Sequence, residues 1–259
     1  MNLAHAVRGA LLLAVLALTG CPDRHPQPAD YSDDPARLIA AVQRQSEAVR
    51  SLSGQLAIEV WHDGDRVRLK QFIAADRQGR LRIDALSPFG QPLSTLVSDG
   101  SRLMIYSLED KKFYVGAATP ENLARLMPVE LEPETLAALL RGSVPIMAHD
   151  RATVSWNGSA GAYRLDLEAG EQGQQIEFAP DTLRVTRLRR RVGGKLRYDA
   201  RFAEWTGKGD AAIPRRIRFE SPADDLRVDL EVVDHQIDPD LPDEAFHLEP
   251  PRGVTVEAL

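Results

Sequence analysis

The sequence predicts a mainly β domain built on one large antiparallel sheet that a few helices cover only in part. Three observations predict this fold. After a first amphipathic helix, the hydrophobic period changes to two and keeps that value along most of the chain. Short turn signals such as Asp63-Gly64 and Asp99-Gly100 separate the alternating runs. Only two further short helical patterns interrupt them. About 220 residues of folded chain suit a single all-β domain.

The first element is a helix in the segment DDPARLIAAVQRQSEAVRSLSG. Asp34 can cap its first turn, and Pro35 suits the first helical position. Gly54 follows the expected end of this helix. Its apolar stripe consists of Leu38, Ile39, Val42 and Val49.

Eleven alternating runs follow, and each is apolar on one face. They are GQLAIEVWH, DRVRLKQFIAAD, RLRIDAL, QPLSTLVS, SRLMIYSL, AYRLDLEA, QQIEFAP, TLRVTRLRRRVGG, KLRYDARFAEW, PRRIRFES and LRVDLEVVDHQI. Short helices are expected after Thr119-Pro120 and from Pro133 to Gly142. The sequence therefore predicts a sheet with one apolar face and too few helices to cover it.

A sheet face of this kind, left incompletely filled, forms an apolar pocket. The residues predicted to line it are Leu56, Ile58, Val60, Leu69, Ile83, Leu103, Ile105, Tyr163, Leu165, Phe178, Phe202, Phe219 and Leu230. The residues predicted to form a helical lid over it are Leu123, Leu126, Leu136, Leu139 and Leu140.

The N-terminus has the order of a secretory signal. Arg8 precedes the apolar run ALLLAVLAL, which is well short of the roughly 20 residues that span a bilayer. The segment LTGC ends at Cys21, the only cysteine, and resembles the bacterial lipobox. We expect a lipoprotein signal peptide at 1–20, a lipidated Cys21 with a flexible tether at 21–35, and one domain at 36–259. An ordinary signal peptide with an incidental cysteine is the alternative.

Composition and motifs restrict the function classes. The formal charge of −6 argues against nucleic acid as a partner, and a lone cysteine excludes an intramolecular disulfide framework. The six histidines form no metal-ligand spacing, and no phosphate loop, nucleophile elbow or CxxC motif occurs. We therefore expect no enzyme activity, no cofactor and no metal site. The basic run Arg187–Arg191 is either a solvated strand face with one inward or edge charge, or a docking patch for an acidic partner or anionic lipid.

Several segments together resemble the LolA/LolB superfamily of lipoprotein-localisation proteins. The lipobox, the helix ending in SLSGQLAIEV and the hairpin LSPFGQPLSTLVSDG look like LolB-type outer-membrane receptors, whereas the ending DEAFHLEPPRGVTV is closer to LolA-type periplasmic carriers. The resemblance covers most of the chain after about Ser32. It implies a half-open antiparallel β-barrel with a helical lid, whose apolar interior holds the acyl chains of lipoproteins in transit.

The resemblance also implies a function and a place. The protein would be a monomer anchored to the outer membrane by its N-terminal lipid and facing the periplasm. It would bind the acyl chains of a lipoprotein or lipid, receive cargo from a periplasmic LolA-like carrier and deliver it to the membrane. Phe89, beside Pro88 in the hairpin tip, stands where LolB-like proteins carry an exposed membrane-inserting leucine.

Two alternatives remain open at this stage. Phe89 could fold back into the core, because phenylalanine is commonly buried. The chain could also be a non-transporting scaffold or stress-sensing module on the same fold, with a pocket filled by its own side chains and an interaction patch on its outside.

Overall fold

The computed structural model describes residues 25–125 and 130–259. Its helices are α1 (Pro35–Ala48), α2 (Pro120–Ala124) and α3 (Pro133–Leu140). The strands of the first half are β1 (Ser51–His62), β2 (Asp65–Asp76), β3 (Leu81–Leu86), β4 (Pro92–Ser98), β5 (Arg102–Ser107) and β6 (Lys112–Ala117). Those of the second half are β7 (Arg151–Asn157), β8 (Ala162–Ala169), β9 (Gln172–Phe178), β10 (Val185–Val192), β11 (Lys195–Thr206), β12 (Ile213–Ser221), β13 (Leu226–Ile237) and β14 (Thr255–Ala258).

All the strands described belong to one sheet, in the order β14-β6-β5-β4-β3-β2-β1-β13-β12-β11-β10-β9-β8-β7. Every pairing is antiparallel except that of β14 with β6. The sheet is open, because β14 and β7 lie at its two edges. The mainly β prediction with few helices is confirmed, and the sheet holds three strands more than the eleven expected: β6, β7 and β14.

The two ends of the sheet differ, since the helices lie at only one of them. A Cβ added at Gly79, in the β2–β3 turn, would meet Glu134 of α3. Gln45 of α1 donates to the carbonyl of Leu183, between β9 and β10. We call this the lid end. The turns at 63–64, 87–91 and 222–225 lie at the opposite end, which we call the open end.

Strand register divides the sheet into two faces. Directly paired residues share a face, and alternate residues lie on opposite faces. The inner face carries the main core. Residues from strands of both halves of the chain and from all three helices belong to it. The outer face is mostly charged. The helices therefore cover the apolar face only in part, as the sequence predicts.

The start of α1 and the end of α3 lie where their local signals predict. The Asp34 side chain accepts a hydrogen bond from the Ala36 amide at 2.9 Å and caps α1. Gly142 ends α3 in the left-handed region, with φ of 76°. Leu123 of α2 is fully buried. Leu126, a predicted lid residue, lies outside the described residues.

The segment 25–34, expected to be part of a flexible tether, is docked on the sheet instead. The Trp156 indole donates to the carbonyl of His25 at 2.9 Å, and the His25 amide donates to Gly158. The ring of Tyr31 stacks on Tyr163 with 5.6 Å between centroids. This aromatic pair explains the difference, because one half-buried ring gives a polar, proline-rich segment a fixed place on β7 and β8.

The C-terminal segment forms a second, smaller core on the outer face of β2 to β6. Phe246 is 2 % exposed and packs with Val97, Met104 and Phe113. The Arg80 guanidinium lies 4.5 Å from the centre of the Phe246 ring. The segment then ends in β14, whose residue Val256 pairs with Phe113. A contact between distant segments therefore creates this edge strand.

Gly54 does not follow a helix end, as the sequence suggested, but lies inside β1. A Cβ at this position would lie 2.3 Å from the carbonyl oxygen of Asp234, beside the bulge that joins β1 to β13. Glycine is therefore required by the close approach of two backbones.

We expect Gly54→Ala to lower the free energy of unfolding by about 3 kcal/mol, because neither backbone can yield without breaking the ladder. Chemical denaturation measures this change. Gly173→Ala in β9 is the matched control, since its nearest neighbour would be the Arg191 Cβ at 3.7 Å. Equal stability of the two variants would contradict the prediction.

Candidate functional site

Every predicted cavity-lining residue lies on the inner face, as the strand register requires. Ten of the thirteen are buried in the core, with at most 7 % of their surface exposed. These ten are Leu56, Ile58, Ile83, Leu103, Ile105, Tyr163, Leu165, Phe178, Phe202 and Phe219. Because so little of their surface can be reached by water, the lid and the sheet fill the space between them in this conformation.

The inner face remains partly uncovered toward the open end. Val67, Val60 and Val228 form one row across three strands, and Leu69, Ile58 and Leu230 form the next. Val67 is 49 % exposed. We call the five partly or largely exposed members the aperture residues: Val60, Val67, Leu69, Val228 and Leu230. The apolar interior therefore reaches solvent at the open end, on the inner face of the β1–β2 and β12–β13 hairpins.

Arg141 joins two lid helices at their C-terminal ends, a role that the sequence analysis did not assign. Its guanidinium donates to the Val49 carbonyl at 2.8 Å, at the end of α1. The residue is 5 % exposed, and this burial lowers its pKa. Within the described residues no carboxylate lies within 4 Å of it. A basic residue just after a helix is common, because it interacts favourably with the helix C-terminus. The sequence therefore gives no sign that Arg141 is buried, and only the packing shows it.

Five buried polar atoms lack partners among the described residues, and two of them belong to the lid region: Gln45 Oε1 of α1 and Arg141 Nε after α3. The other three are Ser155 Oγ, the Tyr163 hydroxyl and Trp205 Nε1. Burial of an unpaired polar group costs on the order of 1–3 kcal/mol. With the lid closed, hydrogen-bonding groups therefore stay buried without a partner, which a purely structural core would avoid.

The tip of the β3–β4 hairpin presents Phe89 to solvent, with 93 % of the residue exposed. The Gly90 amide donates to the Ser87 carbonyl at 2.9 Å. The Ser87 hydroxyl accepts from the amides of Phe89 and Gln91. These bonds hold the turn backbone while the aromatic ring makes none of the core contacts. The alternative in which Phe89 folds into the core is therefore excluded.

A groove of about 710 Å³ crosses the outer face from Pro88 in the tip to β11. We call it the outer groove. Its residues are Ala57, Ile58, Glu59, Arg68, Leu69, Lys70, Pro88, Arg201, Ala203, Arg216, Ile217, Arg218, Asp229, Leu230 and Glu231. The small side chains of Ala57 and Ala203 leave room between two rows of charged residues. Three predicted cavity residues occur in this set, but none of the predicted lid residues does.

Ion pairs fix the charged rows of the outer groove. Glu59 accepts from Arg68 at 2.7 Å and also pairs with Arg66. Asp229 accepts from Arg218 at 2.7 Å and from Arg227 at 2.6 Å. Burial alone would raise the pKa of Asp229, but the hydrogen bonds from these two arginines hold it below its usual range. These ion pairs hold the side chains that form the walls of the groove in place.

The basic run of β10 proves to be a structural network. Arg187 pairs with Asp199, and Arg189 donates to Gln175 at 2.6 Å. Arg190 is on the inner face and donates to Gln172 at 2.7 Å. Asp199 itself is 3 % exposed, so the arginines compensate a buried carboxylate. The interpretation as a strand face with one inward charge is supported.

Cys21 lies outside the described residues, so its lipidation stays a prediction. Across residues 25–125 and 130–259, His, Cys, Asp and Glu do not gather in threes in a way that could hold a metal ion. Of the helices in that part of the chain, none has the length and apolar character needed to cross a membrane.

Solved structures with a similar fold identify the architecture. A LolA superfamily protein from Nitrosomonas europaea superimposes with a TM-score of 0.53 at 13 % identity, over 82 % of this chain and 97 % of its own. The chain has the LolA-superfamily fold. An outer membrane lipoprotein-sorting protein domain from Vibrio parahaemolyticus superimposes on this chain with a TM-score of 0.57 at 10 % identity. The match covers 82 % of this chain and 97 % of that domain.

A DUF1329 family protein from Desulfovibrio piger matches with a TM-score of 0.59 at 11 % identity, over 83 % of this chain and 98 % of its own. No protein-family model and no curated protein matches the sequence. At these identities the likeness establishes the LolA-like fold of the chain.

Proposed function

We propose that this protein is a lipid-anchored component of the cell envelope that binds acyl chains of lipoproteins or lipids and delivers them to the outer membrane. One observation carries the proposal: the apolar inner face continues beyond the lid to the aperture residues, at the same end as an exposed phenylalanine. The LolA-like fold, shared with a lipoprotein-sorting domain, supports it.

The aperture gives an acyl chain its first contacts. Five aliphatic side chains lie in register there, and the buried Ile58 lies between Leu69 and Leu230. Each methylene removed from water contributes about 0.8 kcal/mol. A chain that enters over the inner face of the two hairpins therefore gains free energy continuously as it moves toward the lid.

Deeper binding requires displacement of the lid, because the core side chains occupy the interior. The buried Arg141 cation and the unpaired polar atoms favour that movement. When α3 moves away from α1, the Arg141 guanidinium regains water and its pKa returns toward the ordinary value. Part of the cost of opening is thereby offset, and acyl chains replace the lost apolar contacts.

The proposed anchor and the tip lie at opposite ends of the sheet. Four residue steps separate Cys21 from His25, which allows a reach of at most about 14 Å. The docked His25 is at the lid end and Phe89 is at the open end, and the six residues of β3 alone separate these ends by roughly 20 Å. A lipidated protein therefore lies along the membrane when its tip touches the same bilayer. A LolA-like carrier as donor and a monomeric state remain parts of the proposal.

A binding assay with a fluorescent fatty acid tests the acyl site. The protein used is the chain from residue 21 with Cys21→Ser, which holds every contact described above. We expect Leu69→Gln at the aperture to weaken binding about tenfold, because a polar group replaces an apolar contact. Val233→Gln is the matched control, since Val233 is 57 % exposed and lies outside the aperture. Equal binding by both variants and the parent would refute an acyl site at the aperture.

The filled interior favours a second candidate, an interaction module that does not transport lipid. Native mass spectrometry of the lipidated protein after mild extraction separates the two functions. Acylated molecules that co-purify, and that Leu69→Gln removes, support the carrier. Repeated absence of bound acyl species supports the module.

A further inference from the structure

We propose that Arg190 and Tyr198 form a subsite on the inner face that binds the acidic head group of a single-chain lipid. The inference deepens the proposed function and rests on its acyl site, since it names the chemical class of lipid that the site would hold. Neither residue belongs to the cavity-lining set that the sequence predicts.

Arg190 carries a charge without a counter-ion on the apolar face of the sheet. It follows the core residue Leu188 on the inner face of β10 and is partly buried. Its guanidinium donates to the Gly173 carbonyl at 3.4 Å, to Gln172 Oε1 at 2.7 Å and to the sulfur of Met147. All three acceptors are neutral, and among the described residues no carboxylate lies within 4 Å of it. Part of the cost of removing this cation from water therefore stays uncompensated.

The preceding arginines of the same strand differ from Arg190 in this respect. Arg187 pairs with the buried carboxylate of Asp199, and Arg189 lies 3.6 Å from the same carboxylate. Both side chains are on the outer face, so the sheet separates their ion pairs from Arg190. The inner-face charge is therefore not part of that structural network.

The contact with Met147 marks the place that a ligand oxygen would take. A thioether sulfur is a weak hydrogen-bond acceptor, whereas a carboxylate or phosphate binds a guanidinium through two strong charge-assisted bonds. The Met147 amide donates to Gln174 Oε1 at 3.0 Å, and Gln174 is 4 % exposed. Because a methionine side chain is flexible, its sulfur can leave the guanidinium while its backbone stays bound.

Tyr198 supplies a second donor directly opposite Arg190. The two residues pair across β10 and β11 and share the inner face. Burial raises the pKa of Tyr198 to about 12, and the Arg190 charge offsets only part of this rise. The hydroxyl therefore keeps its proton and can donate it to an anion. The exposed carboxylate of Glu132 also raises this pKa, but in the described structure it makes no ion pair with Arg190.

Aromatic side chains connect this pair with the aperture. The aperture residue Val228 pairs with Phe219 of β12, and the Phe219 ring stacks on Tyr198 with 5.4 Å between centroids. Three strand spacings separate β13 from β10, which is about 14 Å along the sheet. When the lid is displaced, one acyl chain with its acidic end at Arg190 therefore reaches the aperture along apolar side chains.

The pair favours a lipid with a free acid over the acyl chains of a lipoprotein. Chains joined by ester or amide bonds carry no charge at the linked end, so they give the guanidinium no counter-ion. A fatty acid ends in a carboxylate, and a monoacylglycerol phosphate ends in a phosphate. Either oxyanion compensates the charge of Arg190 and accepts from the Tyr198 hydroxyl.

Isothermal titration calorimetry with three lipids of equal chain length tests the proposal on the chain from residue 21 with Cys21→Ser. The ligands are dodecanoate, neutral dodecanol and dodecanoylglycerol phosphate. We expect the parent to bind dodecanoate about tenfold more tightly than dodecanol. Arg190→Gln should remove this preference and leave the affinity for dodecanol unchanged. The acid that binds more tightly identifies the source of the head group.

Arg191→Gln is the matched control, because it makes the same charge change at the next residue, which is exposed. It should keep the preference of the parent. Tyr198→Phe keeps the charge and the aromatic packing, and it should weaken dodecanoate binding about threefold. Equal loss of the preference in Arg190→Gln and Arg191→Gln would show an effect of net charge and refute the subsite.

The other outcomes separate this inference from the proposed function. Equal affinity of the parent for dodecanoate and dodecanol contradicts only the head-group subsite, as does a preference that survives in Arg190→Gln. If neither lipid binds, the acyl site itself is wrong. Denaturation curves check the folding of each variant. If Arg190→Gln does not fold, an unchanged preference in Tyr198→Phe overturns the subsite.

Discussion

A disulfide that joins α3 to the β2–β3 turn is expected to abolish deep acyl binding. The interior is filled while the lid is closed, so a lid held on the sheet leaves no room for a chain. We expect Gly79→Cys with Glu134→Cys, once oxidised, to lose at least tenfold in affinity for a fluorescent fatty acid. Reduction should restore the affinity.

The geometry of this pair suits a disulfide. A Cβ built at Gly79 lies 3.1 Å from the Glu134 Cβ, and bonded cysteines need roughly 3.5–4.5 Å, so a shift of about 0.5 Å suffices. Gly79 has φ of 81°, which strains any other residue. With Cys21→Ser the chain contains no other cysteine, so no competing disulfide forms.

The two single-cysteine variants are the controls for this experiment, because each carries its own backbone or packing change without the link. Their affinity should equal that of the reduced double variant. Undiminished binding by the fully oxidised protein would mean that the lid does not open for acyl chains. The carrier proposal would then be confined to the aperture.

Replacement of Phe89 by glutamate should remove membrane delivery and leave the domain folded. An exposed aromatic ring gains little from the folded protein, so the free energy of unfolding should change by less than about 0.5 kcal/mol. Insertion of a charged residue at the interface is unfavourable, and transfer of acylated cargo into liposomes should fall at least tenfold.

Phe89→Leu is the matched control, since leucine keeps an apolar side chain at the same turn position. It should retain most of the transfer activity. Val256→Glu, at another exposed apolar position on the edge strand β14, should also transfer like the parent. Wild-type transfer by Phe89→Glu would exclude the tip mechanism, whatever the result for the other two variants.

The sequence determined the elements whose signals are local. Asp34, Pro35 and Gly142 mark helix ends with their own side chains or backbone freedom, and the structure places those ends there. Alternation with period two placed all thirteen predicted residues on one face, because strand geometry converts that period directly into faces. The sequence also placed Phe89 in a tight turn, but whether its ring is exposed was decided by the structure.

Tertiary structure alone decided the features that depend on distant partners. The strand β14 exists because it pairs with β6, which precedes it by more than a hundred residues. The role of Gly54 depends on the approach of the Asp234 backbone, so its sequence neighbours point wrongly to a helix end. The sequence suggested a flexible tether for the segment 25–34, because the partner of its aromatic residue Tyr31 is Tyr163 on β8, far away in the chain.

For the candidate site, too, some features followed from the sequence and others only from the tertiary structure. The sequence alone determined an apolar sheet face and its short helical lid, because the apolar residues and their period are local properties that do not depend on distant segments. How much of that face the lid fills, where the aperture opens and which ion pairs line the outer groove were decided only by the tertiary structure. These properties depend on side chains from strands far apart in the chain, and their distances are set by strand order and register.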